Sequence, residues 1–230
     1  MKKIVFLHPA HWEQTLGGAE IQISYLVKYL NSLDYTIHYI YEEREEIILN
    51  TENINLHPLK RINLWGPLGK KWFLYSKRID KILCDIQPDI IYTRLYSSWS
   101  YIAAKHTKNH QIKHIWAIAS DNDVKKKSIL NLLIQPLNLL EYILVNRAYK
   151  NATYILVQNS FQQTEVKTRF RRSGIKILQM SPLVNEKLLK KSDKKTRLVW
   201  IANFKTIKRP EYFIKLDKDS FSFHIIQQFL

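Results

Sequence analysis

The feature that most constrains the fold is a repeated alternation between short, unbroken apolar runs and longer stretches with helical periodicity. An apolar run without in-and-out alternation is typical of a strand covered on both faces, as in a parallel sheet with helices on each side. Such runs predict nine strands: Ile4–Leu7, Thr36–Tyr41, Asn55–Leu59, Ile90–Arg94, His114–Ala119, Tyr154–Gln158, Lys176–Met180, Leu198–Ala202 and Ser222–Ile226.

Helical patterns lie between these runs. In the first of them, Ala19–Leu33, the residues Ile23, Val27 and Leu30 repeat at i, i+4 and i+7 and so share one face of a helix. Pro136 predicts a kink or a new start within the longest pattern. The remaining predicted helices are Lys70–Ile86, Trp99–His106, Lys125–Lys150, Phe161–Phe170 and Glu211–Leu216. Strand–helix alternation at this spacing predicts an α/β fold, a Rossmann-like and mostly parallel sheet with right-handed crossovers.

The polar, lysine-rich stretch "NEKLLKKSDKKTR" interrupts this rhythm. We interpret it as a linker between two domains. The predicted organisation is a Rossmann-like domain over residues 1–188, a linker over 189–196, and the incomplete beginning of a second Rossmann-like domain over 197–230. Two strands and one helix cannot cover their own apolar faces. We therefore expect a sequence that is truncated relative to a two-domain ancestor.

Charge and cysteine content limit the classes of function. The formal net charge of +16 favours polyanionic partners such as nucleic acid, anionic lipid or phosphorylated ligands, or else reflects a solvated basic surface. Cys84 is the only cysteine, so neither a disulfide framework nor a cysteine-based zinc site is expected. The start of the chain does not resemble a signal peptide, and no apolar window is long enough to span a membrane. We expect a cytoplasmic protein.

Two adjacent glycines, Gly17 and Gly18, follow the first predicted strand and precede the first predicted helix. Ligands of open α/β sheets bind at the carboxyl ends of the strands, where bare backbone and a helix N-terminus favour an anion. This position predicts contact with a phosphate or a sugar. The alternative is a plain tight turn in which glycine supplies a positive φ. The spacing does not match the dinucleotide fingerprint G-x-G-x-x-G.

A second loop of the same kind follows the strand at Leu198–Ala202. It carries Lys205, Lys208 and Arg209 before Pro210 opens a helix, so it could neutralise an anionic diphosphate. The alternative is a solvated loop with unrelated lysines.

Together the stretches "LGGAE", "ILVQNSFQQTEV" and "WIANFKTIKRPEYF", in this order, resemble the retaining GT-B glycosyltransferases of family four. That family has a Gly-Gly loop followed by a glutamate, here Glu20, and a serine-containing strand end, here Ser160. Its second domain opens with a Gly-Arg pair and a lysine. Here Ala202 and Asn203 occupy the pair, so the family's phosphate-binding arginine is missing, and Lys208 matches the lysine. Asp121 follows Ser120 where the family often has a His-Asp pair.

The resemblance implies sugar transfer from a nucleotide-diphosphate sugar to a cell-surface polysaccharide or glycolipid acceptor. It implies substrate contacts by Gly17, Gly18, Asp121 and Ser160, and donor diphosphate contacts by Lys208 and Asn203; the catalytic residues stay unassigned. The family's Glu-x7-Glu segment would lie past Leu230, so this chain is expected to be weakly active or inactive. The alternative is a non-catalytic fragment that binds an acceptor or a polyanion. No cofactor, metal or specific nucleic-acid partner is expected.

Metal and acid–base motifs are weak. We interpret Asp121–Asp123 as a polar loop, and the eight histidines as scattered, with no H-x-x-x-H pair on a helix. His8 and His11 follow the first strand, where a structural role is favoured over substrate contact.

A basic and aromatic stretch from Lys60 to Lys81 predicts peripheral binding to an anionic membrane surface, on the inner face of the membrane. The alternative is that its rings pack inward while its lysines face water. The predicted membrane patch consists of Lys70, Lys71, Trp72, Lys77 and Arg78.

Overall fold

A computed structural model of the 230-residue chain describes residues 2–15, 17–44, 53–62, 73–126, 136–172, 176–177, 197–201 and 222–226. The chain divides into two compact units, Met1–Met180 and Ser181–Leu230. The predicted linker over 189–196 lies outside the described residues, and the predicted boundary at residue 188 stays a prediction.

The first unit is built on a seven-stranded sheet in which all six strand pairs are parallel. Its strands are β1 Lys3–Leu7, β2 Thr36–Glu43, β3 Ile54–Lys60, β4 Ile90–Arg94, β5 Lys113–Ala117, β6 Tyr154–Val157 and β7 Lys176–Ile177. They are ordered β3-β2-β1-β4-β5-β6-β7. The predicted Rossmann-like parallel sheet is confirmed, and its order is that of a doubly wound dinucleotide-type fold.

Five α-helices are described: α1 Gly18–Asn31, α2 Phe73–Ile86, α3 Ser98–His110, α4 Pro136–Asn151 and α5 Ser160–Phe170. Pro136 begins α4, as the new helix start that it predicted. Helix α3 is longer than predicted, because Lys108 and His110 complement the helix dipole in its last turn and Gln111 caps it with φ 57°. His106 and His110 therefore lie one turn apart on one helix, and the interpretation of the histidines as scattered is wrong here.

The core explains why the strand sequences are apolar throughout. Ile4 and Phe6 of β1 pack on one face of the sheet with Ile23 and Val27 of α1. Val5 and Leu7 pack on the other face, in a core cluster with α2 and α3. Alternate residues of β1 thus enter two different hydrophobic layers, as the unbroken run predicted.

The second unit contributes two described strands, β8 Arg197–Ile201 and β9 Ser222–Ile226, which pair in parallel. Both match predicted strands. The helix predicted at Glu211–Leu216 lies outside the described residues.

Buried histidines make the stability of the first unit dependent on pH. Burial lowers the pKa of His114 to about 3 and that of His11 to about 4. Protonation favours the unfolded chain, where histidine keeps its ordinary pKa of about 6.5. The free energy of unfolding is therefore fully retained above that pH and falls as the pH drops towards these lowered values.

We expect His114→Gln to weaken this pH dependence, because the variant takes up one proton fewer than the wild type when it unfolds at low pH. Below pH 6 the slope of unfolding free energy against pH should be smaller than that of the wild type by about 1.4 kcal/mol per pH unit. Urea unfolding at pH 7, 6 and 5 measures both slopes. Equal slopes in the two proteins would contradict the assignment.

Candidate functional site: a crevice at the switch point of the sheet

The candidate site lies where the strand order reverses, between β1 and β4. These strands are hydrogen-bonded neighbours, with Leu7 opposite Thr93 near their carboxyl ends. Helix α1, which follows β1, packs on one face of the sheet, whereas α3, which follows β4, packs on the other. The two connections therefore diverge, and a crevice at such a point is the usual ligand position in open α/β folds.

At Gly17 the side chain of Glu20 approaches the backbone closely. It is the N-cap of α1, with φ −121° and ψ 160°, which is extended backbone that any residue adopts. The turn interpretation, in which glycine supplies a positive φ, is therefore wrong for Gly17. A Cβ atom here would overlap Oε2 of Glu20, whose side chain folds back over the N-cap. Glu20 is largely buried and is the acidic residue of the first helical turn.

Gly18 differs from its neighbour. It is the first residue of α1, and no described atom lies within 4 Å of the position that its Cβ would take. The backbone at this helix N-terminus is therefore open on the side chain's face, where a ligand can approach the peptide N–H groups.

The two glycines are expected to respond oppositely to alanine. Gly17→Ala should lower the unfolding free energy by about 0.5–1 kcal/mol, because alanine is a poorer N-cap than glycine and its methyl group requires the Glu20 carboxylate to move aside. Gly18→Ala should leave stability unchanged or raise it by about 0.4–1 kcal/mol, since the site has room and alanine restricts the unfolded chain. Urea unfolding measures both, and a double-mutant cycle of Gly17→Ala with Glu20→Ala isolates the clash. Additive effects of the two substitutions in that cycle would show that the alanine methyl group and the Glu20 side chain do not clash.

Arg94 is the most unusual group near this switch point. It ends β4, and it is only 3% exposed. Its Nη1 donates a long hydrogen bond of 3.4 Å to the Tyr92 hydroxyl, and its Nε has no hydrogen-bond partner among the described residues. No carboxylate in the described part of the chain lies within 4.0 Å of its guanidinium. A buried cation without a counter-charge is costly, which points to an anionic ligand.

His8, the first residue after β1, is almost fully buried. Its Nδ1 lies 2.8 Å from the carbonyl oxygen of Ala10, and its Nε2 lies 3.9 Å from Oε1 of Glu20. Burial lowers the pKa of His8, and the neighbouring Arg94 adds to that effect, although the Ala10 backbone and Glu20 oppose it. The imidazole is therefore neutral at pH 7. The charges of Glu20 and Arg94 thus both act on His8 at the carboxyl end of β1.

A second pair of loops lies further along the same edge of the sheet, after β5 and β6. Oδ1 of Asp121 accepts hydrogen bonds from Nδ2 of Asn159 at 3.1 Å and from Nε2 of Gln162 at 2.9 Å. These bonds lower the pKa of Asp121. Ser160, the first residue of α5, is exposed directly after Asn159. The predicted substrate residues Asp121 and Ser160 thus lie on two neighbouring segments, because Asp121 is hydrogen-bonded to Asn159, the residue before Ser160.

The other predicted site residues separate into two groups. Lys77 and Arg78 of the predicted membrane patch are exposed on α2. Those that lie outside the described residues are Lys70, Lys71, Trp72, Lys208 and Asn203. In the described part of the chain, every helix is too short or too polar to cross a membrane.

Sequence reasoning missed Arg94. The available signal was a charged residue at the end of the apolar run "IIYTR", in a strand that turned out to be the neighbour of β1. Only the pairing of β1 with β4 shows that this residue lies at the same edge of the sheet as the glycine loop.

Comparison with known proteins identifies the family. The model of Glycosyltransferase Family 4 matches residues 16–180. No curated protein sequence matches the chain.

Solved structures share the fold at low sequence identity. The apo form of the lipopolysaccharide outer core galactosyltransferase WaaB has a TM-score of 0.65 at 16% identity, over 97% of this chain and 60% of that one. Sucrose-phosphate synthase from Thermosynechococcus elongatus has a TM-score of 0.62 at 10% sequence identity, over 100% of this chain and 71% of that one. UDP-GlcNAc 2-epimerase from Methanocaldococcus jannaschii has a TM-score of 0.51 at 14% sequence identity, over 77% of this chain and 45% of that one.

This chain therefore spans 45% to 71% of the length of these three structures. Their likeness confirms the predicted GT-B, Rossmann-like fold. The family match covers well over half of the chain and includes both glycines, Arg94, Asp121 and Ser160. The chain belongs to glycosyltransferase family 4.

Proposed function

We propose that this chain acts in the transfer of a sugar from a nucleotide-diphosphate sugar to a cell-surface polysaccharide or glycolipid acceptor. Family membership supports glycosyl transfer. Among the structures of like fold, WaaB is named as a galactosyltransferase of the lipopolysaccharide outer core, and the archaeal enzyme as an epimerase of UDP-GlcNAc. The name of the epimerase supports a nucleotide sugar as ligand, and the name of WaaB supports a glycan-type acceptor.

The observation that carries the proposal is that a buried Arg94 ends β4 while the N-terminus of α1 follows the neighbouring strand β1, so both lie at the carboxyl edge of the sheet. A buried guanidinium and a helix N-terminus both favour negative charge, and β1 and β4, which lead to them, meet at the switch point of the sheet. A phosphate-bearing substrate supplies that charge. The phosphate belongs either to the donor diphosphate or to a lipid-linked acceptor, and Arg94 can hold either one by a two-pronged hydrogen bond.

In the proposed mechanism negative charge grows on the leaving nucleoside diphosphate as the glycosidic bond breaks. Positive groups aimed at that charge lower the barrier, because the charge is larger in the transition state than in the ground state. Lys208 and Asn203 are proposed to contact the donor diphosphate. The backbone at Gly17 and Gly18, together with Asp121 and Ser160, is proposed to contact the sugar or the acceptor. No metal is assigned a role in this step.

A binding panel tests the proposal and separates the two sources of phosphate. The full chain is titrated by calorimetry with UDP, GDP, uridine and a short-chain polyprenyl phosphate. Binding of a nucleoside diphosphate, but not of uridine, supports a donor phosphate at the crevice. Binding of the polyprenyl phosphate alone supports a phosphorylated acceptor. Absence of binding by all three phosphorylated compounds would contradict the proposal.

A second candidate is a non-catalytic module that binds an acceptor or a polyanion, and the net charge of +16 favours it. Transfer assays with labelled nucleotide sugars distinguish the two candidates. Sugar incorporation at any rate above the buffer control supports the enzyme. Binding of heparin or RNA with steep salt dependence, without incorporation, supports the module.

We also propose a cytoplasmic location with peripheral binding at the inner face of the membrane. The support is the exposure of Lys77 and Arg78 on α2, within the basic and aromatic stretch of the sequence. The wild type is expected to sediment with vesicles that contain anionic lipid, and to do so less at high salt. The variant with Lys70, Lys71, Lys77 and Arg78 changed to glutamine should sediment less. Equal sedimentation of both proteins would contradict this prediction.

A further inference from the structure

We propose that Cys84, His106 and His110 form a Zn²⁺ site between α2 and α3. One ligand atom from each of the three side chains lies within 4.8 Å of the others. A thiolate with two imidazoles is a donor set that zinc binds in proteins.

The two helices bring these side chains together by their regular spacing. His106 and His110 are one turn apart on α3, with ring centroids 4.4 Å apart. Cys84 lies on the last turn of the neighbouring helix α2 and is exposed. Residues i and i+4 share a helix face, so the two histidines present their rings to the same side.

Asp80 lies one turn before Cys84 and orients the buried member of the set. Its Oδ1 lies 2.7 Å from Nδ1 of His106, which is 2% exposed. A carboxylate that accepts the Nδ1 proton leaves Nε2 as the free lone pair and increases its basicity. Most histidine ligands of metals donate their other ring N–H in this way, to a carboxylate, a backbone carbonyl or a water.

The space around the ligands suits a hydrated ion. A cavity of about 360 Å³ is lined by all three ligands together with Leu83, Gln87, Pro88 and Ile112. Zinc–sulfur and zinc–nitrogen bonds of about 2.3 and 2.0–2.1 Å place the tetrahedral ligand atoms of such a site about 3.3–3.6 Å apart. Rotation of the exposed side chains of Cys84 and His110 closes the remaining distance. The fourth position is left for water or a further ligand.

The site is separate from the crevice. Helix α2 leads into β4 and α3 leads into β5, so the C-terminal ends of both helices lie at the amino edge of the sheet. The crevice lies at the opposite, carboxyl edge. Zinc here would join α2 to α3 and stabilise the first unit by mass action, without contact with the proposed substrate.

The test uses the untagged, metal-free 230-residue chain under reducing conditions, titrated with Co²⁺ and then with Zn²⁺. We expect one ion per chain, a thiolate-to-cobalt charge-transfer absorption in the near ultraviolet, its loss when Zn²⁺ is added, and a higher melting temperature with Zn²⁺. Cys84→Ser should abolish the charge-transfer absorption. Because Cys84 and His110 are exposed, Cys84→Ser and His110→Gln are expected to fold normally.

Two further variants show that the effect belongs to this site. Asp80→Asn keeps all three ligands and is expected to weaken zinc binding about 10–100-fold. His57→Gln alters the other histidine pair, in which Nε2 of His57 lies 3.0 Å from Nδ1 of His38, and it should leave zinc affinity unchanged. A charge-transfer absorption that survives Cys84→Ser would overturn the proposal. So would zinc affinity that is insensitive to His110→Gln or is lost in His57→Gln.

Discussion

Replacing Arg94 with methionine is expected to raise the stability of the free protein and to weaken its binding of inorganic pyrophosphate. Arg94 is buried, and no described carboxylate lies within 4.0 Å of it. Removal of an uncompensated buried charge should increase the unfolding free energy by about 1–3 kcal/mol. Loss of charged hydrogen bonds should weaken pyrophosphate binding about 10–100-fold. Urea unfolding and calorimetric titration measure the two effects.

Two controls accompany this variant. Arg147→Met makes the same change at an exposed arginine of α4 and is expected to alter neither quantity measurably. Arg94→Lys keeps the charge but loses the planar fork, so its pyrophosphate affinity should lie between those of the wild type and Arg94→Met. If Arg94→Met instead destabilised the protein and bound pyrophosphate normally, Arg94 would be a structural residue.

The largest loss of stability is expected for Trp116→Ala. Trp116 of β5 is fully buried and stacks on Tyr149 of α4 at 4.0 Å between ring centroids. Tyr149 stacks in turn on Phe170 of α5, also at 4.0 Å. Loss of the indole ring removes one end of this three-ring stack and leaves a cavity. The unfolding free energy should fall by about 3–5 kcal/mol, measured by urea unfolding.

Trp116→Phe is the matched control. It keeps an aromatic ring against Tyr149 but removes the hydrogen bond from Nε1 to the carbonyl oxygen of Leu95, which measures 3.0 Å. The expected loss is about 1–2 kcal/mol. Equal losses in Trp116→Phe and Trp116→Ala would show that the hydrogen bond, rather than the ring stack, carries the effect.

The ring stack also bears on the site. It fixes α4 and α5 to β5, and α5 begins beside the loops that hold Asp121 and Ser160. A variant that loosens the stack is therefore expected to disturb the hydrogen bonds of Asp121 with Asn159 and Gln162 as well.

Much of the fold could be predicted because buried parallel strands have a clear pattern in the local sequence. A strand such as Ile90–Arg94 is covered on both faces, so its apolar residues stand consecutively in the sequence. Helix ends were harder to predict. The predicted helix Trp99–His106 ended too early, because the residues after it are polar although they continue the helix to His110.

The sequence alone determined the sheet type, the position of the glycine loop after β1 and the resemblance to the family, since each depends on neighbouring residues or on motif order. Tertiary structure decided which side chains meet. Arg94 lies near His8 only because β4 pairs with β1, although 86 residues separate the two in the sequence. Cys84 likewise meets His106 and His110 only through the packing of α2 on α3. Strand order and helix packing depend on how much apolar surface the whole core buries. Short sequence patterns do not contain that information.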